Sequence, residues 1–477
     1  MKVVKKLLKY ILIFIGILFL TIVVALIVDW QQTSYLKLSN HVDAKTNSYL
    51  IKNVNVIPMT HDTVLVNQMV YIKEGIIVSI GDQIEIENIQ IIDGRNGFLM
   101  PGLVDMHVHV ADKQELGLYL AHGITAVRNL WGMPMHLRMK KEISSEKIIS
   151  PMFFTTGPML TGPEFNSPNH LKLYSRDDAI ERVKRDKARG YDFIKTYNGL
   201  TKELFEALIE QAKISEMDIV SHPSHNVPYS DYLNSQILTI EHAEDIVQQP
   251  LNYQLDTLKL NQIVEEFSLS THTSLTPTLI AFYNIYNLII NDNILNSEEV
   301  EYMNPLIKLL DSKSQFNRWD NAKKNDPAIE KNILDQHHFH LLAIKKMHDA
   351  GVNIVCGTDA GIGITVPGLS IHQELRFYGK AGLSNYEVLK TATINPSKTH
   401  SVMGNIGSIE NNKIANLILL KINPLEDLRA LENPEVVFIR GRPIDQKVLH
   451  EFKTKARKRN NLIVTILRFL ENKVVEK

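Results

Sequence analysis

The sequence predicts a (β/α)8 barrel flanked by short β-strands at both ends of its body and preceded by a membrane helix. Three observations predict it. Between residues 101 and 403 short apolar segments alternate with amphipathic ones, the pattern of βα repeats around a parallel sheet. Turn-punctuated, β-branched blocks lie on either side of that region, and an unbroken apolar run opens the chain.

In chain order, Lys2, Lys5, Lys6 and Lys9 precede a charge-free run from Tyr10 to Val28, closed by Asp29 and Trp30. Such a run matches a hydrocarbon core of about 30 Å, whereas a signal-peptide core usually has about 7 to 15 apolar residues. No small-x-small cleavage site follows, so residues 1–30 read as an uncleaved anchor. The lysines before the span, against one acid just after it, put the N-terminus in the cytoplasm and the body of the chain outside. Residues 31–48 are polar and aperiodic, and read as a tether.

From Tyr49 the texture changes to short strands such as 50–56, 69–72 and 76–80, and a second such block returns at 415–420 and 436–441. The candidate barrel strands are Leu103 to Val110, Ile124 to Leu130, Met152 to Met159, Asp192 to Tyr197, Asp218 to His222, Leu238 to His242, Leu275 to Leu279 and Asn353 to Asp359. Amphipathic stretches intervene, including Arg176 to Arg189 and Thr201 to Ala212, with Thr201 as N-cap. This count and alternation fit a closed (β/α)8 barrel. One connection is too long: Phe282 to His348 is Asn-rich, charged and helix-like, and reads either as a lid or substrate wall or as solvated decoration. The tail, 447–477, is basic and then apolar, which suits either a helix on a membrane surface or one packed on the barrel.

With 44% hydrophobic and 22% charged residues the chain is globular, and a formal net charge of −1 gives no basis for a nucleic-acid partner. A single cysteine, Cys356, excludes a disulfide framework and a Cys-rich zinc site; in the run Asn353-Ile354-Val355-Cys356 it reads as a buried thiol. Nothing here fixes the oligomeric state, and a homo-oligomer is compatible with all of it.

The chemistry lies at strand ends. In His107-Val108-His109 the period of two sends both imidazoles to one side of a strand. Alone, that pair is a weak metal signal. Lys195, His222, His242 and Asp359 close later apolar strands, however, and in a barrel those ends converge on one mouth. Polar groups at such positions are costly unless paired or metal-bound.

These residues resemble the amidohydrolase superfamily, and are most similar to its prolidase-like and imidazolonepropionase-related members. The resemblance runs from Tyr49 to about Arg442 and is carried by Pro101-Gly-Leu-Val-Asp-Met-His-Val-His109, Gly123-Ile-Thr-Ala-Val-Arg-Asn-Leu130, Ile194-Lys195, His222, Ile240-Glu-His-Ala243, Gly357-Thr-Asp-Ala360, Ala392-Thr-Ile-Asn-Pro396 and Gly407-Ser-Ile-Glu410. It implies that residues 49–100 and 404–446 form a small composite β-sandwich and 101–403 the barrel. It also implies two divalent ions, zinc being the first candidate. His107, His109 and Asp359 would hold one and His222 and His242 the other, with Lys195 bridging as a carboxylated lysine, since an ammonium cannot ligate a cation. The implied reaction is hydrolysis of an amide in a dipeptide or N-acyl amino acid by metal-activated water, with Asp359 moving the proton. Tyr197 and Arg128 are candidates to hold the substrate, aromatic packing and an internal ion pair being the alternatives. His372 and Glu374 are assigned to the last helix.

Two positions depart from the family's pattern, Asn416 and Asn129, where aspartates are common; neither is a ligand. A deaminase on this fold usually carries a glutamate three residues after His222, where this chain has His225. Lactone or phosphotriester hydrolysis is the enzymatic alternative, because activated water attacks those centres too. A barrel serving only as a surface binding module would be expected to have lost ligands, and all six positions are filled.

Overall fold

The computed structural model describes residues 2–40, 48–167 and 169–476. Its first element is a helix, Lys2–Gln32, long and apolar enough to cross a membrane, with its apolar side chains largely exposed. The expected tether is partly docked. Tyr35, Leu36 and Leu38 are buried in the main core, and backbone bonds from Ile149 to Leu36 (2.7 Å) and from Leu38 to Lys147 (3.1 Å) fix the segment. The rest of the expected tether, 41–47, lies outside the described residues.

Strands β1 (Tyr49–Val56), β2 (Leu65–Lys73), β3 (Ile76–Gly81) and β4 (Gln90–Pro101) join β13 (Leu417–Leu420), β14 (Val436–Ile439) and β15 (Arg442–Asp445) in one seven-stranded sheet, ordered β15-β14-β13-β4-β1-β2-β3. Both ends of the body therefore meet in one sheet. An isolated bridge between Ile76 and Ile414 brings its far edge back toward β13, so the sheet curls over its own core of Ile51, Val54, Ile72, Leu417 and Phe438.

The barrel strands are β5 (Leu103–Val108), β6 (Ile124–Asn129), β7 (Met152–Thr161), β9 (Phe193–Thr196), β10 (Asp218–Ser221), β11 (Ile237–Glu241) and β12 (Ser274–Thr276), all parallel in that spatial order; β8 (Leu171–Lys172) pairs with the end of β7. The expected eighth strand is a correction. Residues 353–360 form no continuous ladder and join the barrel through two isolated bridges, Leu275 with Ile354 and Val108 with Ala360. The cause is local: the Cys356 N–H is drawn to Thr391 O, and Asp359 has φ 60°, outside the range a regular strand allows. Seven strands and this irregular segment nearly close the barrel.

The intervening helices follow their sequence signals. Ser175 caps Arg176–Arg189, which stops at left-handed Gly190, and Thr201 Oγ1 accepts from Leu204 N at the start of Lys202–Ile214. The long insertion is helical almost throughout, ending in Ile329–Asp349. The tail forms two helices rather than one, Gln446–Arg457 and Leu462–Val475, separated at Lys458–Asn461. The second packs on the N-terminal helix and on Pro134–Ser144, fastened by Arg468–Asp29 and Arg138–Glu471 ion pairs, each at 2.6 Å. Cys356 is free and buried, as expected of it.

Candidate metal centre

Six side chains from five barrel segments converge at one end of the barrel. His107 and His109 leave the end of β5, Lys195 lies in β9, His222 and His242 follow β10 and β11, and Asp359 sits in the irregular closing segment. All are nine-tenths buried or more. The ring centroids of His107 lie 5.3 Å from His109 and 4.7 Å from His242, and His242 lies 5.1 Å from His222. One nitrogen each from His107 and His242 and one Asp359 oxygen fall within 4.8 Å of one another, a grouping suited to a single ion.

The centre's unmet bonds favour a cation. Asp359 Oδ1 lies 2.7 Å from His109 Nε2 and 3.2 Å from His107 Nε2, yet neither approach has hydrogen-bond geometry. These atoms share a space that a positive ion would relieve. His109 Nδ1, His222 Nδ1 and Lys195 Nζ are buried without a hydrogen-bond partner among the described residues. An ammonium so placed loses more in hydration than the nearby Glu241, Asp359 and Asp245 carboxylates return, so burial lowers the Lys195 pKa to about 8. Burial likewise holds His242 down to about 3, leaving a neutral imidazole free to donate its lone pair. Asp359 is held well below the carboxylate range: burial opposes this, but His107 and His109 prevail.

The backbone is bent to present these groups. His242 (φ 69°), Asp359 (φ 60°) and Thr278 (φ 49°) are all left-handed, a strained state for non-glycine residues and most of all for β-branched threonine. Thr278 Oγ1 lies 2.8 Å from His242 Nδ1, which orients that ring. Gly357 is required where the closing segment passes β5, because a Cβ there would come within 2.8 Å of His107 Cβ.

Supporting groups went unrecognised in the sequence. Glu241 Oε2 is 2.8 Å from His107 Nδ1, leaving Nε2 for a metal. Asp105 accepts from Thr358 Oγ1 (2.7 Å) and Thr358 N (3.1 Å), tying the HxH strand to the segment that carries Asp359; its burial raises its pKa to about 7. Asp245 lies 3.3 Å from His222 Nδ1. The signal for Glu241 was present in Ile240-Glu-His-Ala243, two adjacent polar residues ending an apolar strand. His170 had none, since it sits in a loop.

Of the two substrate candidates, Tyr197 stands at the site. Its ring stacks on His222 at 4.1 Å and meets His170 at 4.3 Å. Arg128 does not. It is fully enclosed, with Nε donating to Met106 O (2.6 Å), Nη1 to Thr239 (3.0 Å) and Nη2 to Glu241 Oε1 (2.8 Å); Nη1 also lies 2.8 Å from His400 Nε2. Arg128 is thus the internal ion pair, with no donor left to reach a substrate. His372 and Glu374 share a helix, Ser370–Lys380, but not the last one, since Asn385–Thr391, Ile394–Thr399 and the two tail helices follow; the Glu374 carboxylate receives Leu279 N and Ile280 N.

The barrel, the curled sheet and this cluster define the class of metal-dependent hydrolases. The chain belongs to the amidohydrolase family, whose model matches residues 98–444. Among solved structures, it is similar to a bottromycin amidohydrolase (TM-score 0.73, 21% identity, 90% of this chain and 96% of that one) and a Xaa-Pro dipeptidase with bound methionine (0.65, 20%, 83% and 100%). It is also similar to an Aspergillus niger ochratoxinase (0.61, 18%, 83% and 96%). At such identities the likeness is one of fold. A segment of 63 residues is 46% identical to dihydroorotase of Carboxydothermus hydrogenoformans, spanning 13% of this chain and 14% of that enzyme.

Proposed function

We propose that the protein is a binuclear amidohydrolase that cleaves the amide bond of a dipeptide or N-acyl amino acid. His107, His109 and Asp359 would hold one ion, His222 and His242 the second, and Lys195 would stand between them. The single observation that carries this reading is the buried Lys195 amine, without a hydrogen-bond partner among the described residues and grouped with His109 and His222, whose Nδ1 atoms are likewise unmet. With its pKa brought down to about 8, a useful fraction is neutral near physiological pH. Neutral amine would add to CO₂ with loss of one proton, and the resulting carbamate would supply an anionic ligand to the proposed cations.

Bound divalent ions, zinc first among them, would supply an acidified water and polarise the scissile carbonyl. The chain's own residues do the rest. Asp359, fully ionised and touching both HxH imidazoles, accepts the water's proton and passes it to the leaving nitrogen. Glu241 fixes His107, Thr278 fixes His242, and Tyr197 borders the space where the carbonyl group would lie. The helix Lys2–Gln32 would anchor the protein, with the barrel on the extracytoplasmic side.

Metal analysis of the purified protein should give two ions per chain; one ion would favour a mononuclear enzyme. A panel of dipeptides and N-acyl amino acids, assayed with Zn²⁺, Mn²⁺ or Co²⁺, should show turnover. Efficient lactone cleavage with no amide cleaved would replace this substrate class. Extraction should require detergent, and an intact chain found wholly in the soluble fraction would contradict the anchor.

A further inference from the structure

We propose that the cavity beneath the C-terminal helix receives a long apolar acyl chain, so that the substrate is an amphiphilic N-acyl compound. This rests on the amide-hydrolase reading above. The cavity, about 490 Å³, falls within the about 300–1,000 Å³ range of small-molecule sites. Its lining includes Trp131, Leu306, Leu310, Ile362, Phe469 and Leu470.

The cavity reaches the candidate metal centre through one side chain, Trp131, since none of the six candidate ligands lines it. Trp131, which lines it, meets His109 edge-on at 6.2 Å between ring centroids and Phe469 edge-on at 5.3 Å. Ile362 follows Asp359 by three residues. One wall is the helical insertion, held in place where Asp311 Oδ2 accepts from Gly363 N at 2.6 Å. The roof is the helix Leu462–Val475, whose Arg468 pairs with Asp29 near the end of the N-terminal helix. A molecule lying across Trp131 would therefore have one end at the metals and the other between two apolar walls.

The chemistry of the walls selects the occupant. Leu310 and Leu470 are 61% and 54% exposed, so the cavity offers bare apolar surface that a hydrocarbon chain would cover. At the junction with the centre, the buried Trp131 Nε1 has no hydrogen-bond partner among the described residues, which leaves one donor for the polar end of the same molecule. Apolar walls leading to a polar, cation-seeking floor match an acyl chain ending in an amide. The Asp29–Arg468 pair sets this roof against the anchor, the side from which a membrane-dissolved amphiphile would arrive.

The test is a chain-length series of N-acyl glycines, acetyl to octanoyl, given to the full-length protein reconstituted in phosphatidylcholine vesicles. The expected result is a rise in kcat/KM of about two- to fourfold per added methylene, and at least about 50-fold across the series. Leu310→Gln and Leu470→Gln, at exposed positions where folding is not at risk, should flatten that slope by about tenfold at octanoyl. A flat profile, a slope unchanged in both variants, or N-acetylphenylalanine preferred to every acyl glycine would overturn the acyl-chain assignment while leaving amide hydrolysis intact. No cleavage of any amide in the series or of any dipeptide would instead remove the underlying reading, and this inference with it.

Discussion

Two buried cations a few residues apart in space teach different lessons. Arg128 and Lys195 are each at most 1% exposed. The guanidinium has partners on Nε, Nη1 and Nη2, including the Glu241 carboxylate, whereas the ammonium of Lys195 has no hydrogen-bond partner among the described residues. Burying a charge with complete partners yields a rigid strut; burying one without hydrogen-bond partners is a penalty that losing the proton, or binding a ligand, would relieve. The first cluster is structure, and the second is the proposed metal centre. Glu241 belongs to both, holding Arg128 with one oxygen and His107 with the other.

Substitutions can break that contrast. The largest effect is expected from Asp359→Asn, which keeps size but removes the proton acceptor and a ligand: kcat should fall about 10²- to 10⁴-fold in steady-state assays. Activity within tenfold of the parent would clear Asp359 of the proposed role. Next comes Arg128→Met, which strands the Glu241 carboxylate and should cost about 3–5 kcal/mol in denaturant unfolding. A loss below about 1 kcal/mol would show the network to be dispensable.

Lys195→Met makes the same exchange with the opposite sign. In the metal-free protein it removes an unpaired ammonium, so stability should rise by up to about 3 kcal/mol even as activity is lost. The pH dependence follows from the lowered pKa. Below about pH 8 the parent's Lys195 is charged in both the folded and unfolded states, and the full burial penalty is felt. Between there and its unfolded value, about 10.4, the unfolded state binds the extra proton, so the parent's stability climbs with pH. The advantage of Lys195→Met should therefore be greatest below pH 8 and vanish above about 10.5. A constant difference across that range would mean the amine is not desolvated.

The candidate ligands were legible in the sequence because each ends an apolar segment, and the barrel alone brings such ends together. What surrounds them was less so. Periodicity reads Ile354-Val355-Cys356 as a strand but cannot see that Gly357 must pass His107 or that Asp359 turns left-handed, which is why the eighth strand dissolves into two bridges. Arg128 ends an apolar segment just as the ligands do; only its partners, more than a hundred residues away, mark it as structural. The tether's Tyr35, Leu36 and Leu38 were an apolar signal inside a polar stretch. The C-terminal helix reaches its place through Asp29 and Glu471, contacts whose sequence separation of 439 and 333 residues leaves no local trace.

The smallest effect probes the residue common to both clusters. Glu241→Gln preserves volume and one carbonyl oxygen, which can accept either from Arg128 or from His107 but cannot serve both as the carboxylate does. The amide also removes the negative charge that makes the His107 imidazole a stronger donor through Nε2. Metal should consequently be held about 10- to 100-fold more weakly in chelator competition, or about 1.4–2.7 kcal/mol. Stability of the metal-free form should fall as well, because Arg128 keeps its charge and loses its counter-ion. If metal affinity stayed at the parental value while stability fell, Glu241 would belong to the strut alone, and the orientation of His107 would have to come from the backbone.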